Sequence, residues 1–321
     1  MKTYPIISLW FTGVCLSSSM LHGHEGHDPL YTEVGNSSTY QNEVTISEDG
    51  NHLKIQSNAI PAHSTGQFPT RGNPHAIRPQ NHTFRIPLSP RMASSIRPTG
   101  RTFGIALNGV SFEPGTAETW NHDRNWRMEA IIDGKSTLGL DDNNAHVQPS
   151  GKYHYHGIPW RLIHSLSQNS EPVMVGWAAD GFPIYYQKEL KPSYQLKRGK
   201  REGGPGGRYD GTYTCDYEYR EGLGDLDECN GKELKTNEFP DGTYAYFVTD
   251  AFPFVSRYFK GNPDASFMMP EHSRERGPQH RSEERGSDQN RGHRPPPFDQ
   301  GGNNQMPPPP PPHHRGPVES Y

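Results

Sequence analysis

Two histidines stand two positions apart in Gly151–Pro159, a segment in which Tyr153, His154, Tyr155 and His156 alternate. Side chains of a β-strand point alternately to opposite faces, so a strand here places both imidazoles on one face and both phenols on the other. Imidazole nitrogens bind zinc and copper, and two of them at this spacing can converge on one ion. The segment predicts part of a metal site. The alternative is an edge strand with its tyrosines inward and unliganded histidines on the surface.

A third imidazole and several carboxylates lie close enough to complete such a site. His146 precedes the predicted strand and is separated from it by Pro149–Gly151, residues through which a turn could bring it back. Asp141, Asp142 and Asp180 are candidates for a carboxylate that orients a ligand or acts as a general base, with Asp142 and Asp180 as the candidate catalytic residues. Solvated loop carboxylates or turn formers are an equally good reading of these aspartates. The prediction is a zinc or copper site made by the three histidines.

Three kinds of function are consistent with these residues. A metal-bound water would permit hydrolysis of a polysaccharide or an ester, and a copper ion would permit oxidation chemistry. A non-catalytic module is the second, in which Tyr153, Tyr155 and Trp160 form an aromatic face that stacks on sugars, although alternating tyrosines usually belong to a core. The third is a structural or surface-display domain without a metal. The expected partner is an unknown small molecule or a polysaccharide.

Four segments of the chain carry distinctive motifs: Asp141–Pro159, Gly176–Tyr185, Leu226–Gly231 and Asp241–Thr249. All four resemble motifs of the YHYH-domain family. The resemblance extends from about Phe84 to Phe259 and implies a secreted or surface protein, but it assigns no activity. In the last segment Ala245 stands where the family often has histidine, so the resemblance does not supply ligands from two strands.

Composition favours a β fold rich in turns. Among the 321 residues, 31% are hydrophobic, while the 34 glycines and 31 prolines favour turns over long helices. The formal net charge of −4 is too small to predict a nucleic-acid or membrane-surface partner. We therefore expect a mainly β domain, an antiparallel sandwich or a partly open barrel, with one or two short helices and a disordered C-terminal tail.

The composition also divides the chain into four parts. Lys2 and the short apolar run Tyr4–Cys15 predict a secretory signal peptide, and hence a secreted, periplasmic or cell-surface protein with no membrane insertion after signal removal. The end of the chain has too little apolar surface to offset the entropy of ordering. The predicted parts are a signal peptide (1–23), a flexible His-rich leader (24–42), a YHYH-type β domain (43–261) and a disordered tail rich in Pro, Gly, Arg and Gln (262–321).

Alternation of apolar and polar residues predicts most elements of the domain. Glu43–Ser47 and His52–Gln56 flank turn residues and predict a hairpin. Tyr244 and Tyr246 repeat the spacing of the first motif, which predicts two related strands that contribute tyrosines to one core. Further strands are predicted in Thr83–Pro87, Thr102–Phe112, Val173–Ala179, Phe182–Tyr186 and Thr243–Thr249, and short helices in Trp120–Ile132 and Pro159–Leu166.

Two cysteines, Cys215 and Cys229, remain once the predicted signal peptide is removed. In an oxidising compartment an even pair predicts a disulfide, and a thiolate metal site is the alternative.

Overall fold

A computed structural model describes residues 39–167 and 172–268 of the chain. The predicted signal peptide, most of the predicted leader and the predicted tail beyond Met268 lie outside the described residues. Within the described ranges, no helix is both long and apolar enough to cross a membrane.

The described residues form seventeen strands, one α-helix and four 3₁₀ turns. The strands are β1 (Val44–Asp49), β2 (His52–Ser57), β3 (His82–Pro87), β4 (Met92–Pro98), β5 (Gly104–Ala106), β6 (Ser111–Phe112), β7 (Ile131–Ile132), β8 (Lys135–Ser136), β9 (Ala145–Val147), β10 (Tyr153–Tyr155), β11 (Val173–Ala178), β12 (Pro183–Tyr186), β13 (Tyr194–Leu196), β14 (Tyr217–Tyr219), β15 (Gly231–Leu234), β16 (Thr243–Val248) and β17 (Tyr258–Gly261). The helix is α1 (Trp160–Leu166), and the 3₁₀ turns are Trp120–His122, Arg124–Trp126, Thr214–Asp216 and Ala265–Phe267.

Eight strands form one curled, half-barrel sheet that includes β10 and β16, the two strands with the repeated tyrosine spacing. Their order across the sheet is β15, β16, β12, β11, β5, β6, β10, β9. The mainly β, partly open barrel with a short helix is therefore confirmed. The pairs β6–β10 and β12–β16 are parallel and the other pairs are antiparallel. Each parallel pair is joined by a long connection, which is the kind of link that parallel pairing requires.

Smaller sheets contain the remaining strands. The predicted hairpin is confirmed as β1–β2, and β3 adds to it to make a three-stranded antiparallel sheet. The strands β4 and β17, β7 and β8, and β13 and β14 form two-stranded pairs.

Tyrosines from β10 and β16 lie in one core, as the repeated spacing predicts. Tyr153, Tyr155 and Tyr246 are fully buried and Tyr244 is nearly so, and all four belong to the same hydrophobic cluster. This leaves the alternate residues of β10 on the other face of the strand.

The free edge of β9 is closed by a side chain. The carboxamide of Asn73 accepts a hydrogen bond from the backbone N of Val147 at 3.2 Å and donates one to the carbonyl of Val147 at 2.9 Å. These two bonds satisfy the backbone groups that an edge strand otherwise presents to another chain.

The predicted continuous strand Thr102–Phe112 is wrong in detail, because a turn divides it into β5 and β6. Asn108 Oδ1 accepts from the backbone N of Val110 within the turn, and Gly109 has a φ of +79°. A Cβ on Gly109 would lie 2.3 Å from Ser57 Oγ, so glycine is required there on both grounds.

The predicted helix Trp120–Ile132 is also wrong. The segment forms two 3₁₀ turns and β7, and Asn121 and His122 have positive φ values. Asp123 accepts a hydrogen bond from the backbone N of Asn125, a local bond that competes with a continuous helix.

The predicted disulfide is not formed, because Cys215 and Cys229 are free thiols in the structure. Cys229 is buried in the main core, while Cys215 lies in a 3₁₀ turn that Asp216 anchors to Arg201 at 2.8 Å. Burial raises the pKa of Cys229 to about 12 and also raises that of Cys215. An even count of cysteines shows that a pair could form, but the positions of the two side chains decide whether it does.

The chain stays packed on the domain beyond the predicted boundary at residue 261. The backbone N of Asp264 donates to the carbonyl of Ala179 at 2.9 Å, and Ser266 Oγ accepts from the backbone N of Arg85 at 2.9 Å. Phe267 is buried, with its ring centroid 4.6 Å from that of Phe84. The predicted tail therefore begins with a packed segment.

Candidate metal centre

The β9–β10 hairpin brings three histidines together. His146 and His154 are direct partners in its antiparallel register, and His156 follows two positions after His154. The connecting turn is closed by hydrogen bonds between Gln148 and both Gly151 and Lys152. Gly151 has a φ of +93° and lies against Arg78, where a Cβ would come within 2.5 Å of that side chain. The turn predicted to bring His146 back to the strand therefore exists.

The Nε2 atoms of the three imidazole rings converge. His156 Nε2 lies 3.0 Å from His154 Nε2 and 3.2 Å from His146 Nε2. Candidate ligand atoms of the three residues all lie within 4.8 Å of one another. Nitrogens that bind a zinc ion at about 2.0–2.1 Å are separated by roughly 3–4 Å. The predicted convergence is therefore present, while metal uptake itself stays a prediction.

Hydrogen bonds determine which nitrogen of two of the rings carries the proton. His146 Nδ1 lies 3.0 Å from the carbonyl of Leu138, and His154 Nδ1 lies 3.3 Å from the carbonyl of Lys152. A carbonyl can only accept, so each Nδ1 is the N–H and each Nε2 presents a lone pair. His156 Nδ1 has no hydrogen-bond partner among the described residues. Since the Nε2 atoms of His146 and His154 can only accept, His156 Nε2 donates to one of them when no ion is bound. A bound cation would take the place of that proton.

Burial keeps the three rings neutral. His154 and His156 are 2% and 3% exposed, and His146 is half-buried. Burial lowers the pKa of each ring, and the pKa values of His154 and His156 fall well below the ordinary value of 6.5. The pKa of His154 is lowered further by His146 and Lys152. The pKa of His156 is lowered further by the other two histidines and by Arg257. Neutral imidazole is the form that binds a metal.

A buried ion pair lies on the histidine face of the same strands. Lys152 Nζ is 2.5 Å from Glu113 Oε1, and Gln148 Nε2 donates to Glu113 Oε2 at 2.6 Å. These three residues link β10, the end of β6 and β9. Sequence reasoning missed them, although strand alternation places Lys152 on the face of His154 and Gln148 on the face of His146. No local pattern in the sequence indicates Glu113, because it follows β6, which is far from β10 along the chain although the two strands are neighbours in the sheet.

A model of the family described as YHYH protein matches residues 83–261, more than half of the chain. The chain belongs to the YHYH family. No curated protein and no solved structure matches it. All three histidines and the Lys152–Glu113 pair lie inside the matched range, so the candidate centre is part of the YHYH domain.

The YHYH domain does not bring the predicted aspartates to the histidines. Asp142 is exposed, and Asp180 is buried elsewhere, accepting from the Tyr246 hydroxyl at 2.5 Å and from the backbone N of Gly261 at 2.8 Å. Asp141 accepts from the Tyr153 hydroxyl at 2.7 Å, on the opposite face of β10. In the described ranges no hydrogen bond or ion pair joins these carboxylates to the centre, so the structure gives no support to catalytic roles for Asp142 and Asp180.

The predicted aromatic face is not a surface of the YHYH domain. Tyr153 and Tyr155 are fully buried, and the Tyr155 hydroxyl accepts from Asn108 at 2.9 Å and lies 2.5 Å from His63 Nε2. Trp160 is half-buried and packs edge-on against Tyr186. Rings enclosed in a core cannot stack on a sugar, and this removes the observation that favoured a carbohydrate-binding module.

Proposed function

We propose that the YHYH domain binds one transition-metal ion, zinc or copper, through the Nε2 atoms of His146, His154 and His156. The observation that carries the proposal is the set of three converging nitrogens, two of which have their lone pairs directed inward by Nδ1–H bonds to carbonyls. Such an outer hydrogen bond is the usual companion of a metal-binding histidine.

The ligand type supports zinc and copper over harder ions. Imidazole suits zinc and copper, whereas magnesium, calcium and manganese favour oxygen ligands. Three protein nitrogens leave a fourth position for an exogenous ligand, as in catalytic zinc sites. A hydrolytic or oxidative reaction also needs a group that moves a proton, and the buried Glu113 carboxylate is already held by Lys152 and Gln148. The proposal is therefore metal binding, and hydrolysis or oxidation at the bound ion would extend it.

The proposed compartment is extracellular, periplasmic or at the cell surface. Its support is the basic start and short apolar run of residues 1–23, a composition typical of secretory signals. Either zinc or copper is compatible with such a compartment.

Metal analysis of the purified, tag-free protein tests this function. The wild type should retain one zinc or copper ion per chain after exhaustive dialysis, and His154→Ala/His156→Ala should retain none. The circular dichroism spectrum of the double variant should match that of the wild type without metal. Since binding stabilises the folded state, the wild type should also unfold at a higher temperature with metal than without it.

Two variants serve as controls for histidines outside the centre. His164→Ala removes an exposed histidine of α1, and a double replacement of His24 and His27 by alanine removes the histidines of the predicted leader. Both should retain one ion. Undiminished uptake by His154→Ala/His156→Ala would contradict the proposal and would assign the metal to another part of the chain.

A further inference from the structure

Among the described residues, the buried groups around the candidate centre offer a divalent ion no unpaired negative charge. The carboxylate of Glu118 also acts on His146, but it is exposed to solvent. The three ligands are neutral imidazoles. The nearby buried carboxylates, Glu113 and Glu129, are each neutralised by a cation, Lys152 at 2.5 Å and Arg257 at 2.6 Å. A divalent ion in this centre would keep both of its charges in a poorly solvated place, which is costly unless a counter-charge enters with it.

Two buried polar groups beside the centre lack a hydrogen-bond partner among the described residues. Ser111 is fully buried, and its Oγ has none. Ser111 is the direct partner of His154 in the parallel pair β6–β10, so the two side chains are neighbours on one face. The second group is Arg257 Nε.

The contacts of Arg257 connect its side chain to β10, and its positive charge acts on His156. Arg257 Nη1 donates to the carbonyl of Pro114, and the backbone N of the preceding Glu113 donates to the carbonyl of Tyr155, the residue between the two β10 histidines. A buried N–H or O–H without an acceptor is destabilising, because it has lost its hydrogen bonds to water. Both unpartnered groups can donate, so what they lack is an acceptor.

We propose that the centre takes up a divalent ion together with one small anion, a halide, azide or a simple carboxylate, which completes the coordination and accepts hydrogen bonds from Ser111 and Arg257. This inference rests on the proposed metal binding. The anion supplies the missing counter-charge, occupies the position that three protein ligands leave open, and gives both groups an acceptor. The anion enters past His146, which is half-buried, whereas His154 and His156 are buried.

Cobalt(II) provides the test, because its visible absorption reports changes among its ligands. Chloride, azide and acetate are each titrated into the cobalt-loaded full-length protein, with metal content measured in parallel. The expected result is a saturable change in the cobalt spectrum at constant cobalt content. Loss of one hydrogen bond to a charged group should weaken anion binding about 10-fold in Ser111→Ala, with more than 10-fold weakening in Arg257→Lys.

Arg85→Lys is the matched control, because Arg85 pairs with Asp49 on the surface at 2.6 Å. It should bind the anions as the wild type does. Ser111→Ala removes a single oxygen, so it keeps the test decisive if Arg257→Lys fails to fold. The inference is overturned if none of the three anions changes the cobalt spectrum, or if Ser111→Ala binds them with the affinity of the wild type. Neither result would contradict metal binding. A protein that takes up neither cobalt, zinc nor copper overturns the proposed function itself.

Discussion

Burial of a titratable side chain disfavours its charged form and shifts its pKa, because a charge is poorly solvated where water is excluded. The three histidines of the centre are neutral, because burial lowers the pKa of each. Burial also favours the neutral form of Asp180, which for a carboxyl group means a higher pKa. Burial raises its pKa to about 6, although hydrogen bonds from Tyr246 and Gly261 oppose the rise.

The pKa of Asp180 predicts a specific dependence of stability on pH. The ordinary value is 3.8 and the folded value is about 6. Between these values the folded protein holds a proton that the unfolded chain releases, so this group's contribution to the free energy of unfolding falls as pH rises from about 4 to about 6. The loss is about 3 kcal/mol at 1.36 kcal/mol per pKa unit.

Urea unfolding of the wild type and Asp180→Asn between pH 4 and pH 7 isolates this contribution. The buried histidines act with the opposite sign, since their contribution is lost as pH falls below 6.5, but they are present in both proteins and cancel in the difference. The stability difference between the two proteins should shift by about 3 kcal/mol in favour of Asp180→Asn as pH rises. A difference that stays constant over this range would contradict the assigned pKa.

At the scale of residues, the histidines could be predicted from sequence because their arrangement is local. His154 and His156 share a face by strand periodicity, and a turn of a few residues returns His146 to them. Glu113 could not be predicted, because its contact with Lys152 joins residues 39 positions apart. Asp180 was misplaced for the same reason, since its partner Tyr246 lies 66 positions away.

Elements come together at the centre through the buried pair of Lys152 and Glu113. Together with Gln148 it joins β10, the end of β6 and β9, the three adjacent strands at one edge of the large sheet. Lys152 also accepts, at its carbonyl, the Nδ1–H of His154. The pair therefore holds together the strands that carry the three histidines.

Replacing one partner of this pair should destabilise the domain strongly. Lys152→Met leaves the Glu113 carboxylate buried and without its cation, which should lower the free energy of unfolding by about 3–5 kcal/mol. Adding Glu113→Gln should restore a large part of the loss, because no charge then remains unpaired. Urea denaturation at pH 7 measures both effects.

Lys260→Met is the control for the loss of a lysine. Its ammonium lies 2.9 Å from Asp227 in a partly exposed pair, so the change should cost only about 0–1 kcal/mol. Equal losses in the two single variants would show that burial of the Lys152–Glu113 pair does not matter.

Elements were predictable where the chain obeys one periodicity and were not where a short-range bond interrupts it. The β1–β2 hairpin and α1 follow their patterns, and their bounds agree with the prediction within a few residues. The turn at Asn108 and Gly109 interrupts an apolar run that otherwise predicts one strand. Asp123 similarly interrupts a pattern that predicts a helix.

The whole molecule includes residues that composition assigns to the tail. Phe267 is 3% exposed and packs on Phe84, and the segment around it bonds to Ala179 and Arg85. A chain that ends at Met268 keeps these contacts, whereas a chain that ends at Gly261 loses them.

Two truncated chains should therefore differ in stability. The chain ending at Gly261 should be less stable than the chain ending at Met268 by about 3–5 kcal/mol, the usual effect of removing a buried phenylalanine. Phe267→Ala in the full-length chain is the matched variant and should reproduce most of that loss. Coincident urea unfolding curves for the two truncated chains would show that the segment adds nothing to the domain.

The short distance along the chain between the three histidines has a consequence for the order of folding if the domain binds the proposed ion. His146 and His156 are ten positions apart, so the loop that must close to assemble the three nitrogens is short and its entropic cost is small. The contact of Ser266 with Arg85 spans 181 positions and closes a far longer loop. An ion could therefore be captured by the β9–β10 hairpin while the ends of the domain are still apart, and the captured hairpin would then serve as a nucleus on which the distant strands assemble.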